Sequence, residues 1–240
     1  MNKIHLQQKM YHIFETYITN VDYRGNIRFF KEKKGKWKWE IGGRVNLHSE
    51  YGSNFSFTFI PAYRINSKLR SFVRVSTAFK TPTLYQLFDA FAGNPDLLPE
   101  QSLVAEGGVE WKKSNGFRSR VVGFFRNTED AIVYTYNPST FAAAYRNVSR
   151  QLNYGAELEG SYQTGKWNFS ANYTYTNGSI RAAYDGTGAP IGKDTSYFNL
   201  YRIPKHAIFG EVGYRLNKAI YLQMQMRYLG AREEFIYGST

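Results

Sequence analysis

The sequence predicts an all-β fold, an up-and-down antiparallel sheet forming a segment of a transmembrane β-barrel. Three observations carry this reading. Apolar and polar residues alternate with period 2 through most of the chain. The connections between alternating segments are short at one end and long at the other. Finally, 18% of the 240 residues are aromatic and 21 are glycine, yet no apolar run approaches the roughly 18 residues a spanning helix needs. A mean hydropathy of -0.50 agrees, and 42% hydrophobic residues are too many for a disordered chain.

The region Lys3 to Lys31 alternates less clearly. From Trp37 the odd positions read Trp37, Trp39, Ile41, Gly43, Val45, Leu47 against Lys38, Glu40, Gly42, Arg44, Asn46, His48. Phe55, Phe57, Phe59, Pro61 and Tyr63 follow across the connection Glu50 to Asn54, so the two segments read as a hairpin. Leu69, Val73 and Val75 alternate with Arg70, Arg74 and Ser76; Leu103 to Trp111 alternate with Val104 to Lys112; Phe117 to Phe125 alternate with Arg118 to Arg126. The same pattern runs through Leu152 to Tyr162, Trp167 to Tyr175, Ile208 to Tyr214 and Ile220 to Tyr228, for about ten strands in all.

The turns 31–36, 65–68, 114–116, 163–166 and 216–218 are tight and polar. The stretches Thr81 to Ser102, Tyr136 to Tyr145 and Thr176 to Ile203 are long, and up-and-down connectivity gathers them at the opposite end, with Tyr51 to Ser53 a short exception there. An eleven-residue strand is about 36 Å long and, tilted by about 45°, crosses roughly 25 Å, the apolar band of an outer-membrane barrel. Lipid offers backbone groups no hydrogen-bond partner, so the strands must close a ring with the apolar face outward and the polar face lining the lumen. Trp37, Trp39, Trp111, Tyr162, Trp167, Tyr173, Tyr175, Tyr214 and Tyr228 sit near strand ends on the apolar face, as headgroup-level rings do, although β propensity also favours them. A soluble sandwich, with shorter strands and unsegregated loops, fits less well.

The segment Phe79-Lys80-Thr81-Pro82-Thr83-Leu84-Tyr85-Gln86-Leu87, followed by Gly93-Asn94-Pro95-Asp96-Leu97-Leu98-Pro99-Glu100, resembles the barrel of TonB-dependent outer-membrane receptors, near the cobalamin and siderophore transporters. Looser matches are Phe125 to Ile132, read as a strand ending before a loop, Tyr145-Arg146-Asn147, Gly155 to Glu159, Arg202 to His206 and Tyr228-Leu229-Gly230. The resemblance implies that residues 1–240 are one partial barrel domain, about ten strands of a barrel of about 22, with the plug and the TonB-contacting segment lying elsewhere. The first residues show no export signal, and the polar tail after Leu229 reads as a chain that continues. With two unpaired edges, such a segment expressed alone is expected to aggregate.

What the resemblance implies for function is an outer-membrane receptor, not an enzyme, taking up a ferric siderophore or cobalamin with energy delivered through the TonB complex, and monomeric when complete. Within its motif Phe79, Pro82, Leu84, Leu87, Asn94, Pro95, Leu98, Pro99, Glu100 and Glu106 are structural. The long loops offer aromatic planes with polar edges, suited to a bulky amphipathic ligand: Phe88, Phe91, Asn94 and Asp96, then Tyr136 and Phe141, then Tyr184, Asp185, Tyr197 and Arg202. The net charge of +12 suits an anionic ligand or the phosphates of lipopolysaccharide, which with membrane lipid is the other expected partner. Four scattered histidines and no cysteine predict neither a metal site nor a cofactor. Asp185-Gly186-Thr187-Gly188 reads as a turn, Glu157 and Glu159 as members of a lumen salt network, and the basic hairpin around Lys31 to Lys38 as solvated, with no nucleic-acid role. The rival readings are a small outer-membrane barrel enzyme, for which no catalytic cluster is visible, and a soluble aromatic-rich polysaccharide-binding protein.

Overall fold

The computed structural model describes residues 22–32, 35–113, 115–198 and 203–232. The elements are β1 (Asp22–Glu32), β2 (Trp37–His48), β3 (Gly52–Arg64), β4 (Leu69–Lys80), α1 (Leu84–Phe88), β5 (Glu100–Lys112), β6 (Phe117–Tyr136), β7 (Ala143–Thr164), β8 (Trp167–Tyr184), β9 (Pro190–Phe198), β10 (His206–Arg215) and β11 (Tyr221–Leu229). They form one antiparallel sheet in the order β1-β2-β3-β4-β5-β6-β7-β8-β10-β11, with β9 attached to β8 alone. The sheet is an open arc, each strand paired with its sequence neighbour except where β9 interrupts. Among the described residues no helix is long and apolar enough to cross a membrane.

The alternation read from the sequence becomes a continuous two-faced wall because the register aligns like with like. Ile41 lies opposite Phe59, Phe59 opposite Val75, Val75 opposite Ala105, Ala105 opposite Phe125, and Phe125 opposite Tyr154. This face is bare: Phe55 is 62% and Met224 71% exposed. Since leaving one large apolar side chain in water forgoes about 1.5–3 kcal/mol, a face this extensive belongs in hydrocarbon.

Aromatic pairs mark its short-turn border: Trp37 stacks on Trp39 at 5.3 Å, Trp111 meets Phe117 edge-on at 5.3 Å, and Trp167 meets Tyr214 at 4.5 Å. The far border carries Tyr154, which accepts from Asn177 Nδ2 at 3.3 Å, and Tyr173, whose hydroxyl bonds His206 Nδ1 at 2.8 Å. Trp167 to Asn177 is ten steps, about 33 Å along the strand and roughly 25 Å across at a tilt near 40°.

The other face holds the charges. Arg70, Glu110, Arg120 and Glu159 occupy directly opposed positions on β4, β5, β6 and β7. They alternate in sign, with contacts of 3.1 Å (Arg70–Glu110), 3.8 Å (Arg120–Glu110) and 3.4 Å (Arg120–Glu159). Arg74 pairs with Glu106 at 3.6 Å two lumen-facing rungs higher, beyond Phe72 and Gly108. Glu159 thus joins the expected lumen network. Between the charges Phe72 lies flat over Gly108, where an added Cβ would come within 2.9 Å of the ring, and Arg120 stacks on that ring at 5.2 Å. The curvature of this face encloses a concavity of about 820 Å³ lined by Arg44, Thr58, Arg74, Glu106, Arg126 and Glu157 among others.

Three strands run further than the sequence reading allowed. β6, β7 and β8 have 20, 22 and 18 residues, so the long connection Tyr136 to Tyr145 shrinks to 137–142, and Thr176 to Ile203 contains strand and the added β9. Phe125 to Ile132 does not end before a loop; Ala131-Ile132-Val133-Tyr134-Thr135-Tyr136 is strand, as its β-branched and aromatic residues favour. Asn177 and Gly178, loop formers by residue type, are strand residues of β8, and Gly186 and Gly188 belong to the tight turn that joins it to β9. The extension buries a small core of its own, Ala131, Val148, Ile180 and Ala182, which a solvated hairpin above a membrane needs to stay folded. β1 gives the unclear amino-terminal region a strand from Asp22; residues 1–21 and 233–240, and Lys33, Lys34 and Ser114 of two turns, lie outside the described residues.

Candidate functional site at the long-loop end

The connection 81–99 is built from local rules. Thr83 caps α1, its Oγ1 accepting from the Gln86 amide at 3.2 Å while Gln86 Oε1 accepts from the Thr83 amide at 2.9 Å, a reciprocal capping box. The signal was legible as Thr-x-x-Gln, although the sequence reading assigned no helix there. Pro82 and Leu87 are buried, as is Leu97. Asp89 Oδ2 accepts from the Phe91 and Ala92 amides at 3.2 and 2.9 Å, turning the chain back.

This connection is then stitched to the extended β6–β7 hairpin. Ala92 O accepts from the Tyr145 amide at 3.0 Å, and Asn94 Nδ2 donates to Tyr145 O at 2.9 Å. Asn147 is the centre of the seam. Its Oδ1 accepts from the Leu98 amide at 2.9 Å, while its Nδ2 donates to Leu98 O at 2.9 Å and to Asp130 O at 2.6 Å. The side-chain amide therefore acts as one further rung of sheet. Glu100 adds a clamp: Oε1 accepts from the Ile132 amide at 2.8 Å and Oε2 pairs with Lys80 at 2.8 Å. Tyr51, in the short β2–β3 turn, donates to Leu97 O at 3.2 Å. Burial raises the Tyr51 hydroxyl above its usual value, with Glu50 adding to the shift.

The remaining connections join the same cluster. In 137–142, Asn137 Oδ1 accepts from the Ser139 and Thr140 amides at 2.9 and 3.2 Å, and Phe141 takes a left-handed backbone, φ 57°. At the β8–β9 turn Asp185 Oδ1 accepts from Thr187 N at 2.9 Å, Thr187 Oγ1 at 2.6 Å and Ala189 N at 3.1 Å, the turn the sequence indicated. The Thr187 hydroxyl bond is the main reason the Asp185 carboxyl is held below its ordinary range. Gly186 O accepts from the Tyr136 amide at 3.2 Å, tying this turn to β6. The Tyr184 hydroxyl donates to Asn147 O, and Arg146 stacks on the Tyr184 ring at 5.4 Å. Burial pushes the Tyr184 hydroxyl up to about 12, the nearby Arg146 opposing the shift.

The structure sorts the residues singled out from sequence. Phe91 and Phe141 stand exposed, at 65% and 67%, and Asp96 is exposed beside them in the first connection. Phe88 and Tyr136 are half-buried. Asn94 spends its amide on Tyr145 and its Oδ1 on the Asp96 amide at 3.0 Å, and Tyr184 and Asp185 are likewise committed within the cluster. Tyr197 falls in β9, with its side chain outside the described residues, and Arg202 lies outside them altogether. Of the motif residues, Phe79 lies one residue before the end of β4, Leu84 opens α1, Pro95, Leu98 and Pro99 shape the return to β5, and Glu106 faces the lumen against Arg74. Sequence reasoning did not single out Tyr85, which is 64% exposed and meets Tyr145 edge-on at 6.1 Å, nor Tyr134, 5.3 Å beyond. Among the described residues no three acidic or histidine side chains gather to hold a metal.

Residues 22–239 match the family model described as TonB dependent receptor-like, beta-barrel. The chain is 25% identical over 236 residues to the iron-regulated outer membrane virulence protein of Vibrio cholerae, covering 90% of this chain and 35% of that protein. Among solved structures it is similar to the FrpB iron transporter of Neisseria meningitidis (TM-score 0.61, 17% identity, 94% of this chain and 36% of the other). It is also similar to the siderophore receptor PirA of Acinetobacter baumannii (TM-score 0.61, 19% identity, 88% and 34%), and the copper transporter OprC gives TM-score 0.62 at 16% identity over 80% and 32%. The chain spans about a third of the length of each of these relatives. An outward apolar wall bounded by aromatic rows, a charged inner face and a match over residues 22–239 lead to one assignment: this chain belongs to the TonB-dependent receptor-like β-barrel family of the bacterial outer membrane.

Proposed function

We propose that residues 1–240 form one partial barrel domain of a receptor that captures a ferric siderophore at its long-loop end and passes it inward past a plug, with energy delivered through the TonB complex. The observation that carries this is the gathering of three connections into one hydrogen-bonded cluster that leaves Tyr85, Phe91 and Phe141 exposed. Such a rigidly seated aromatic surface suits a flat, amphipathic chelate. The left-handed backbone of Phe141 costs roughly 1–2 kcal/mol and holds a large apolar ring toward solvent, an arrangement that stability alone does not favour. The iron-related names of the Vibrio cholerae and Neisseria meningitidis proteins weigh toward iron chelates over cobalamin. The lumen concavity, with Arg44, Arg74 and Arg126 beside Glu106 and Glu157, would face the plug. The complete protein acts by binding and translocation, as a monomer, and not by catalysis.

The test is equilibrium binding of a ferric catecholate siderophore, a ferric hydroxamate siderophore and cobalamin to the full-length receptor in detergent, by quenching of intrinsic fluorescence. One ferric siderophore is expected to bind, with Phe91→Ala and Phe141→Ala each weakening it about tenfold. Binding of cobalamin alone would replace the ligand assignment, and unchanged affinity in both variants would remove these loops from the site.

A further inference from the structure

We propose that Lys112 and Arg118, with Ser161 and Ser170 beside them, form a seat for a small multivalent carboxylate anion at the short-turn mouth of the lumen, where an anionic chelate leaves the barrel. The exit role rests on the transport reading above; the seat itself rests on register and charge.

Lys112 closes β5 and Arg118 stands second in β6, and the two are directly opposed. Glu110 and Arg120, two residues further into the same strands, belong to the charged inner face, so Lys112 and Arg118 share that face. The rung continues through Ser161 of β7 and Ser170 of β8. Four neighbouring strands thus present an ammonium, a guanidinium and two hydroxyls over about 14 Å, all able to donate. Trp111 and Phe117, edge-on at 5.3 Å, hold the outward face at this height, which leaves both cations on the side of the wall away from lipid.

The next lumen-facing rung is built differently. There the signs alternate, and its carboxylates are already engaged: Glu110 by Arg70 at 3.1 Å and Arg120 at 3.8 Å, Glu159 by Arg120 at 3.4 Å. Among the described residues no ion pair includes Lys112 or Arg118, and both are exposed. The sequence supplies the reason, since residues 51–88, 111–128 and 160–184 contain no Asp or Glu. Those stretches include the short-turn ends of β3 to β8. Like charges directly opposed destabilise a strand pair, and a shared anion reverses the sign of that interaction.

The backbone beneath the two cations is fixed. The Lys112 amide donates to Lys68 O at 2.8 Å, and Gly116 O accepts from the Gln163 amide at 3.3 Å, which ties the β5–β6 turn to the β7–β8 turn. Donors held in place before the ligand arrives reduce the cost of ordering on binding. The planar fork of an arginine takes a carboxylate through two parallel bonds, and a lysine adds a point charge beside it. Two cations with hydroxyls along one side therefore suit an anion that carries more than one carboxylate. Short turns of outer-membrane barrels face the periplasm, so the seat lies at the end where cargo departs.

The full-length receptor in detergent is titrated calorimetrically with citrate and with triethyl citrate, which keeps the skeleton and lacks the charge. Citrate is expected to bind and the triester is not. Lys112→Gln/Arg118→Gln is expected to weaken citrate about 25-fold, a factor of about five for each solvated cation removed. Lys113→Gln/Lys218→Gln removes the same charge from exposed lysines of two short turns, one of them the chain neighbour of Lys112, and is expected to bind citrate within about twofold of wild type. Heat-modifiable mobility on gels checks that each variant is folded. No citrate binding by wild type, as when a carboxylate from another part of the receptor fills the rung, overturns the proposal. An equal loss in the two double variants also overturns it, because net charge and not a seat would then hold the anion, and so does equal binding of the triester. None of these outcomes bears on ferric siderophore capture at the long-loop end, which the Phe91→Ala and Phe141→Ala variants test separately.

Discussion

Replacing Asn147 by alanine removes three hydrogen bonds that fasten the connection 81–99 to the β6–β7 hairpin: Leu98 N to Oδ1 at 2.9 Å, Nδ2 to Leu98 O at 2.9 Å and Nδ2 to Asp130 O at 2.6 Å. The first two are exposed and water replaces them readily, so each contributes about 0.5 kcal/mol; the third is partly buried and contributes about 1 kcal/mol. The sum is about 2 kcal/mol, close to a 30-fold change in the local opening equilibrium. The loss is local, because β4 and β5 remain paired from Leu69–Trp111 to Lys80–Glu100 whatever the connection does. Amide hydrogen exchange of the full-length protein in detergent reads it directly, since exchange under native conditions follows local opening. The Leu98 amide should exchange about 30 times faster in Asn147→Ala, while amides of the β4–β5 pairs keep their protection. Asn147→Asp keeps the acceptor for Leu98 N and loses both donors, so it should fall between. Unchanged exchange at Leu98 in the alanine variant would show that the seam is held by the Ala92–Tyr145 and Glu100–Ile132 bonds instead, and would refute the assignment of Asn147 as its centre.

Three further outcomes follow from particular contacts. Gly155→Ala would place a Cβ 1.9 Å from Tyr175 O, a clash with backbone that no side-chain adjustment relieves, whereas Gly160→Ala meets nothing within 4 Å; assembly in the outer membrane, read by heat-modifiable mobility, should fail for the first and persist for the second. Glu110→Gln breaks the two contacts of 3.1 and 3.8 Å that join Arg70 and Arg120; with all three side chains partly solvated the cost should be about 1 kcal/mol, seen as a lower midpoint in chemical denaturation and diminished in high salt. The Asp185 carboxyl titrates below its ordinary 3.8 in the folded turn, so its stabilisation is complete above that value and is lost as pH falls through the lowered one. The Thr187 and Ala189 amides should accordingly lose exchange protection only in strong acid, and Asp185→Ala should remove that pH dependence and leave both amides unprotected near neutrality.

The strands were legible where one side-chain period governed a whole segment. From Trp37 to Leu47 every second residue is apolar or glycine, and in the wall those residues all take the lipid face. Legibility failed in Thr176 to Ile203, where Asn177 and Gly178 imitate a loop. Gly178 is in fact a strand residue against Asn153, so close that an added Cβ would lie 1.9 Å from Leu152 O. The candidate site was half legible. Residue type drew attention to Phe91 and Phe141, which stand exposed, but could not tell them from Asn94 and Asp185, whose polar atoms are taken up by neighbours. Asn147 was visible only as part of a resemblance, since its hydrogen-bond partners Leu98, Asp130 and Tyr184 lie 17 to 49 residues away in sequence.

By itself the sequence determined which residues face lipid and which face the lumen, because alternation is a local property of extended backbone and an apolar side chain seeks hydrocarbon whatever its neighbour is. It likewise determined the short turns, as at Asn115-Gly116, where the left-handed glycine (φ 87°) sits so close to Gln163 O that a Cβ would lie 2.4 Å away. Only the tertiary structure decided that Arg70, Glu110, Arg120 and Glu159 stand in one line of alternating charge, that Arg150 meets Arg181, and that the connection 81–99 is seated on β7. Each of these depends on the register between strands, and register is fixed by the sum of all rungs in a pair, not by any residue taken alone.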